Sequence, residues 1–199
     1  RRIPREVRGS ALFWHKVWAA VLTFLAYALL HQTRETLAKV KPDLQREWSG
    51  GGVASRQLFF GPGAGSATKE FLGTLDLVFM WCYAVGLLAG GSFGDRFSLR
   101  VVLGVAMMGS GVVTALFGVL GDSNLHSAAW YAAVWGLNGL MQSVCWPCVV
   151  SVMGQWWGKG VRGAAMGLWS GNVSVGNALA GPLTAAYVGR YGIGWDFAF

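Results

Sequence analysis

Long apolar stretches alternate with short polar segments along the chain. Five stretches are dominated by apolar residues, and they lie at about 17–39, 72–94, 101–120, 128–153 and 163–188. A helix needs about 20 residues to cross the roughly 30 Å hydrocarbon core of a bilayer, so each stretch is long enough to span it. The pattern predicts an all-α membrane protein with five complete transmembrane helices, and the residues leading to Phe199 begin a sixth.

The composition supports a membrane protein and argues against a nucleic-acid-binding one. Apolar residues make up 54% of the chain and charged residues 13%, and the 30 glycines are typical of helices that approach one another closely in lipid. The formal net charge is +7, but the basic residues are scattered and form neither a recognition helix nor a basic sheet with aromatic residues. We therefore expect membrane lipid as a partner and no nucleic acid.

The placement of basic residues predicts the orientation in the membrane. Nine of them precede the first stretch or lie in the second and fourth connections, whereas six lie on the opposite side. Because positively charged segments stay in the cytoplasm, residues 1–16 are predicted to form a cytoplasmic N-terminal segment and residues 17–199 a transmembrane bundle. A signal peptide cleaved after Ala28 is the less favoured alternative, since further hydrophobic stretches follow it. The Gly- and Ser-rich residues 49–68 are predicted to form a loop.

A polar stripe interrupts the first stretch. Tyr27, His31 and Arg34 are spaced by four and three residues, which places them on one face of a helix, and Thr23 extends that face by one turn. The uncharged run at 17–30 would span only about 21 Å, so Arg34 is predicted to lie at membrane depth. Inserting an arginine at that depth costs about 2.5–3.5 kcal/mol of free energy, and a membrane helix tolerates it mainly where the side chain faces a cavity.

The chemistry of this stripe suits an anion. The planar guanidinium of Arg34 can hold an oxyanion, above all phosphate, through two parallel hydrogen bonds, and His31 can add a donor. The alternative is that Arg34 extends to the lipid headgroups and binds no ligand. Glu35 and Lys39 are four residues apart on a different face, and we expect them to pair with each other.

The fourth and fifth stretches contain further candidates. Cys145-Trp146-Pro147-Cys148 has the spacing of a redox motif, but it lies in an apolar helix, so we expect neither a redox nor a metal role. Pro147 is predicted to kink the helix, and Trp146 to face a cavity or a neighbouring helix. Trp169, Asn172 and Gly176 share a helix face, which directs Asn172 into the bundle, where it either contacts a ligand or bonds to another helix.

Glycines spaced by four residues predict close helix packing in the second and fifth stretches. They are Gly86, Gly90 and Gly94 in the second and Gly163, Gly167 and Gly171 in the fifth.

The sequence GGSFGDRFSLR at residues 90–100 resembles the loop signature of the major facilitator superfamily, G-x-x-x-D-R-x-G-R-[RK]. The matching residues are Gly91, Asp95, Arg96 and Arg100. The resemblance implies a gating role for these four, in which Asp95 engages an arginine and neighbouring helix ends as a latch that breaks when the halves of the transporter rock.

Within that superfamily the chain resembles the organophosphate:phosphate antiporters, in particular the eukaryotic sugar-phosphate exchanger (glycerol-3-phosphate transporter-like) branch. The resemblance rests on the stripe on the first helix, on YAVGLLAGGSFGDRFSLR, on NGLMQSVCWPCVVSVMGQWWGKGVRG and on MGLWSGNVSVGN. The family fold has twelve helices in two six-helix halves. The resemblance therefore implies that this chain is the N-terminal half, and that the C-terminal half of the same transporter is its partner.

The resemblance also assigns roles to single residues. Arg34 matches the phosphate-binding arginine, Tyr27 and His31 match positions that line the cavity, and Trp146 matches the tryptophan of a Trp-Pro pair. Two positions depart from the family pattern: Glu35 stands where a lysine is common, and Asn172 where a histidine is found. Glu35 is not counted among the predicted substrate-binding residues. These are Tyr27, His31, Arg34, Trp146 and Asn172.

The expected function is exchange of a phosphorylated sugar or glycerol phosphate for inorganic phosphate, by alternating access. No catalytic residue, cofactor or metal is expected, and the protein is predicted not to be an enzyme. The resemblance suggests the endoplasmic reticulum membrane. Two alternatives stay open: a carrier of another organic anion with the same fold, and a non-transporting membrane scaffold if the natural chain is this short.

Overall fold

The described part of the chain is entirely helices and the short turns that join them. The computed structural model describes residues 5–49, 65–122 and 127–186, without the side chains of residues 5–11, 91–95 and 122. The helices in these ranges are α1 Arg5–Trp48, α2 Gly65–Arg96, α3 Leu99–Asp122, α4 Ala128–Ser143, α5 Cys145–Trp156, α6 Lys159–Trp169 and α7 Asn172–Ala185. The all-α prediction is confirmed.

Three of these helices are long and apolar enough to cross a membrane by themselves. They contain the candidate spans Leu12–Trp48, Gly65–Gly90 and Leu99–Gly121. The stretches predicted at 128–153 and 163–188 are helical as far as the structure describes them, and a short interruption divides each into two consecutive helices, α4 with α5 and α6 with α7. The predicted start of a sixth helix lies outside the described residues.

The first helix is longer than its apolar stretch predicts. It was predicted at about 17–39, but α1 begins at Arg5 and continues through Pro42 to Trp48. Lys41 on its C-terminal part pairs with Asp76 of α2.

Residues 65–68, predicted to be loop, form the first turn of α2.

Pro147 accounts for the interruption between α4 and α5. The first helix ends at Ser143 and the second begins at Cys145, and Val144 between them has φ −69° and ψ −22°. A proline has no backbone N–H, and its ring collides with the carbonyl group four residues earlier, which here belongs to Ser143. The helix is therefore interrupted by one residue at the place where the sequence predicted a kink.

The interruption between α6 and α7 is a tighter turn. Ser170 and Gly171 have ψ values of −16° and −15°, and the N–H of Gly171 bonds to the carbonyl oxygen of Leu168 at 3.2 Å, three residues back. The Asn172 side chain completes the turn, because its Nδ2–H donates to the carbonyl oxygen of Trp169 at 2.5 Å. The asparagine amide thus donates a hydrogen bond to a carbonyl group at the end of α6 that has no partner within the helix.

Glycines allow α2 to pack closely against α4 and α5. A Cβ atom at Gly90 would lie 3.2 Å from Pro147 Cγ, and one at Gly139 would lie 2.5 Å from the carbonyl oxygen of Phe79. Gly86 faces Ser143 in the same way. The packing prediction is confirmed for Gly86 and Gly90, while the neighbours of Gly94 lie outside the description.

In the fifth stretch the packing prediction is met at Gly171 but not, within the described part of the chain, at Gly163 and Gly167. Cβ atoms built at Gly163 and Gly167 would meet nothing within 4 Å among the described residues, whereas Gly171 has neighbours on α6 and α1. The close contact of α7 with α1 is made by Gly176 instead, where a Cβ would lie 2.8 Å from the Cβ of His31 and would also collide with the Ala28 carbonyl group. The predicted common face of Trp169, Asn172 and Gly176 is confirmed, since all three are buried.

Two apolar clusters fill the bundle. One joins α1, α2, α3 and α4 around the rings of Phe117, Tyr131 and Trp135, with centroid separations of 5.1 Å for Phe117 and Tyr131 and 5.0 Å for Phe117 and Trp135. The other joins α1, α3, α5 and α6, and includes Leu30. Residues 31–36 of α1 connect the two clusters, so the polar stripe reaches the level at which they meet.

Arg162 on α6 closes the end of α5. Its Nη2–H donates to the carbonyl oxygen of Gly154 at 2.7 Å, and its Nε–H to that of Trp157 at 3.2 Å. A cation at a helix C-terminus satisfies carbonyl groups that have no partner within the helix.

Replacing Arg162 with alanine is expected to destabilise this turn. Loss of the two hydrogen bonds should lower the free energy of unfolding by about 1 kcal/mol. The thermal midpoint of the protein in detergent should fall by about 2–4 °C. Lys159→Ala removes an exposed charge from the same helix and should leave the midpoint unchanged; equal midpoints for the two variants would contradict the assigned role of Arg162.

Candidate functional site

The polar stripe of α1 faces the interior of the bundle. Tyr27 is 5% exposed, and its ring centroid lies 5.4 Å from that of His31, which is half-buried like Arg34. Thr23 extends the stripe as predicted: it is buried, and its Oγ1 accepts a hydrogen bond from Trp169 Nε1–H at 3.1 Å. The spacing therefore placed these side chains correctly on one inward face.

A small cleft lies between this stripe and helices α2 and α4. The cleft is narrow: its volume is about 10 Å³, which is space for roughly one water molecule. The residues lining it are Tyr27, Leu30, His31, Arg34, Tyr83 and Gln142. Three predicted residues therefore meet in one place with a tyrosine of α2 and a glutamine of α4.

The Arg34 guanidinium rests on aromatic rings. Its Cζ lies 4.9 Å from the ring centroid of Phe79 and 5.8 Å from that of Tyr83, and its Nη2–H points at Met80 Sδ at 3.2 Å. The ion pairs found among the described residues do not include Arg34. Contacts between a cation and rings are worth about 0.5–2 kcal/mol, so the charge of Arg34 stays available to an anion in the cleft.

Glu35, the neighbour of Arg34, is directed elsewhere. Its Oε1 lies 3.4 Å from Lys39 Nζ, and the two side chains are 33% and 43% exposed. The predicted pair on a separate face is confirmed, and the carboxylate does not line the cleft.

Two tryptophans pack behind Tyr27. The ring centroids of Trp146 and Trp169 lie 5.9 Å and 5.3 Å from that of Tyr27, and 5.9 Å from each other. Trp146 thus contacts a neighbouring helix, as one of its two predicted orientations required, although it is not among the residues lining the cleft. The two indole rings fix the position of Tyr27.

The structure does not bring Asn172 to the cleft. This residue is fully buried at the interruption between α6 and α7, where it bonds to the Trp169 carbonyl group. Its Oδ1 is buried and has no hydrogen-bond partner among the described residues. In this arrangement Asn172 supports the turn that holds Trp169 against Tyr27.

The residues proposed for gating are only partly described. Arg96 and Arg100 are exposed, at the end of α2 and the beginning of α3. The surroundings of Gly91 and the side chain of Asp95 lie outside the description, so the latch stays a prediction.

Sequence reasoning did not identify Tyr83, Phe79 or Gln142 as parts of the site. Tyr83 and Gln142 lie inside the stretches that carry the family resemblance, but no pattern within a single helix sets them apart. Their positions depend on which faces of α2 and α4 turn toward Arg34. The glycines at the α2–α4 contact are the one sequence feature that could have indicated those faces.

The bundle and its cleft define a class of protein. Helices long enough to span a bilayer, with an arginine facing a cleft inside the bundle, are the features of a multi-pass membrane protein with an internal polar site. The sequence model of the Major Facilitator Superfamily matches residues 20–199. The chain belongs to the major facilitator superfamily.

The comparison with individual proteins points to one part of that superfamily. Sugar phosphate exchanger 3 of Mus musculus is 42% identical over 212 residues, which cover 98% of this chain and 42% of that protein. The Homo sapiens protein of the same name is 43% identical over 207 residues, covering 96% and 41%. "Putative glycerol-3-phosphate transporter 2" of Arabidopsis thaliana is 45% identical over 177 residues, covering 89% and 34%. These similarities confirm the resemblance to the sugar-phosphate exchanger branch, and the chain spans well under half the length of these curated relatives.

Proposed function

We propose that this chain is the N-terminal half of a transporter that exchanges a phosphorylated sugar or glycerol phosphate for inorganic phosphate by alternating access. The observation that carries the proposal is the Arg34 guanidinium, which borders an internal cleft and has no carboxylate partner among the described residues. The similarity to sugar phosphate exchanger 3 supplies the chemical class of the substrate.

Arg34 binds the phosphoryl group in this proposal. Its planar fork can donate two parallel hydrogen bonds to two phosphoryl oxygens, and the aromatic rings beside it keep the fork from turning away. His31 and Tyr27 line the same cleft and add donors, while Trp146 and Asn172 act through the packing of Tyr27. The chain is a transporter rather than an enzyme, and the proposal assigns it no cofactor.

Exchange, rather than leak, follows from charge. The family resemblance implies a second arginine in the C-terminal half, opposite Arg34. Two facing cations repel each other in an empty cavity of low dielectric, so the cavity closes readily only when an anion lies between them.

The proposed latch of Gly91, Asp95, Arg96 and Arg100 holds the cytoplasmic side closed. The N-terminus is cytoplasmic and the membrane that of the endoplasmic reticulum, as the charge bias and the resemblance suggest.

A carrier of a carboxylate is the second candidate. Arg34 is the one permanently charged side chain that lines the cleft in the described residues, and a guanidinium pairs with a carboxylate in the same bidentate geometry. A single positive charge matches a monocarboxylate as well as it matches one edge of a phosphate.

A competition experiment separates the two candidates. The full-length protein that contains this chain is reconstituted in vesicles loaded with inorganic phosphate, and uptake of labelled phosphate is measured. Glycerol phosphate added outside at tenfold excess over the label is expected to reduce uptake by about 90%, by simple competition at one site. Lactate at the same concentration should leave uptake unchanged. Inhibition by lactate alone would favour the carboxylate carrier and contradict the proposal.

A further inference from the structure

A buried hydrogen-bond network joins α3 to α4 and ends at the cleft. Ser110 Oγ donates to Asn138 Oδ1 at 2.7 Å, and Asn138 Nδ2–H donates to Thr114 Oγ1 at 3.1 Å. Gln142 Nε2–H contacts both Ser110 Oγ at 3.2 Å and Asn138 Oδ1 at 3.3 Å. All four side chains are buried, with Gln142 only 4% exposed. A satisfied buried network of this kind holds its members in one arrangement.

The network determines which end of the Gln142 amide is available. The amide nitrogen contacts Ser110 Oγ and Asn138 Oδ1, and because these two acceptors lie only 2.7 Å apart, one N–H of Gln142 is shared between them. Turning the Gln142 amide over by itself would bring its oxygen against Asn138 Oδ1, and two acceptors repel each other. The Gln142 amide oxygen takes no part in this network, and it is not one of the fully buried atoms that lack a partner. It is therefore the acceptor that Gln142 presents to the cleft it lines with Arg34.

A hydrogen-bond acceptor beside Arg34 favours contact with a hydroxyl group of the substrate over contact with its phosphoryl group. A carbonyl oxygen repels phosphoryl oxygens but accepts a hydrogen bond from a hydroxyl group. We propose that Gln142 is a specificity-determining residue, whose amide oxygen accepts a hydrogen bond from a hydroxyl group on the carbon skeleton of the phosphorylated substrate. The assignment rests on the proposed function, in which Arg34 holds the phosphoryl group.

Asn138 is the positioning residue in this scheme. It does not line the cleft, but it connects Gln142 to Ser110 and Thr114, and it is fully buried on the same helix as Gln142. Without its Oδ1, the Gln142 amide keeps only the contact with Ser110 and can rotate. A site whose buried polar group is fixed in advance discriminates more strongly against an analogue that lacks the matching hydroxyl group.

The test compares two substrates that differ only in hydroxyl groups. Glycerol phosphate and propyl phosphate are each exchanged against phosphate by the full-length protein in vesicles, and KM and kcat are measured for both. The wild-type protein should have a KM for glycerol phosphate about tenfold lower than for propyl phosphate, the factor expected for one well-placed hydrogen bond. Gln142→Leu should remove this preference mainly through KM, with a loss about tenfold larger for glycerol phosphate than for propyl phosphate or for inorganic phosphate.

Three further variants keep the test decisive. Gln142→Met, which is unbranched and close in shape to glutamine, gives the same measurement if the leucine variant does not fold. Asn138→Ala should reduce the preference to about threefold through KM alone, because the amide oxygen is present but less well held. Gln155→Leu makes the same chemical change at an exposed position of α5 and should behave like the wild type.

The outcomes distinguish this assignment from the proposed function. No phosphate exchange by the wild-type protein would overturn both. A wild-type protein that exchanges phosphate, with variants at Gln142 that keep the preference for glycerol phosphate, overturns the assignment alone. Equal loss of glycerol phosphate and inorganic phosphate transport in those variants also overturns it, because the amide would then present its hydrogens to the phosphoryl group.

Discussion

Arg34→Ala is expected to reduce phosphate exchange by about thirtyfold or more while the protein stays folded. Truncating one partner of a buried, hydrogen-bonded charge pair costs about 2–5 kcal/mol, and each 1.4 kcal/mol corresponds to a factor of ten. The guanidinium is held by rings and a thioether rather than by an ion pair, so its removal leaves no carboxylate unpaired in the described part of the protein. Exchange in vesicles and the thermal midpoint in detergent measure the two effects.

Two variants test whether position and shape matter. Arg46→Ala removes the same charge from the same helix, at a side chain that is 73% exposed, and should exchange phosphate like the wild type. Arg34→Lys keeps the charge but loses the planar fork, so its activity should lie between those of the wild type and the alanine variant. Full exchange by Arg34→Ala would refute the assignment of the anion site.

Gly176→Ala is expected to destabilise the bundle and to weaken phosphate binding. The new Cβ would lie 2.8 Å from that of His31 and would press on the backbone of α1 at Ala28, which cannot move aside as a flexible side chain can. Overpacking of this kind costs about 1–3 kcal/mol, which lowers the thermal midpoint by about 2–12 °C. Because α1 carries the stripe, its displacement should also raise the KM for phosphate.

Gly163→Ala is the matched control with an effect of opposite sign. A Cβ at Gly163 meets nothing within 4 Å among the described residues, so no contact opposes the change. Alanine is favoured over glycine within a helix by about 1 kcal/mol, and the midpoint should rise slightly or stay unchanged. Equal destabilisation by both substitutions would show that the contact between Gly176 and α1 has no special role.

The organisation of α1 could be predicted from the sequence alone. Helical spacing placed Tyr27, His31 and Arg34 on one face and the Glu35–Lys39 pair on another, and both placements are present in the structure. Spacing is sufficient here because all these relations lie within one helix. The end of the helix was not predictable from its apolar stretch, since contacts between α1 and α2, such as that of Lys41 with Asp76, support the helix beyond it.

Relations between helices were the part that the sequence did not reveal. Gln142, Tyr83 and Phe79 reach Arg34 only because α2 and α4 turn particular faces toward α1, and periodicity does not encode the rotation of one helix relative to another. The same limit explains the glycines of the fifth stretch. Gly163 and Gly167 have the same spacing as Gly86 and Gly90, but only the latter meet another helix in the described structure.

The pairing of Glu35 with Lys39 has an electrostatic consequence for the cleft. A carboxylate next to Arg34 in sequence would, if unpaired, cancel much of the attraction that the guanidinium exerts on an incoming anion. Paired at 3.4 Å, the positive charge of Lys39 offsets part of the field that Glu35 exerts at the cleft. An incoming anion is therefore repelled less than it would be by an unpaired carboxylate beside Arg34.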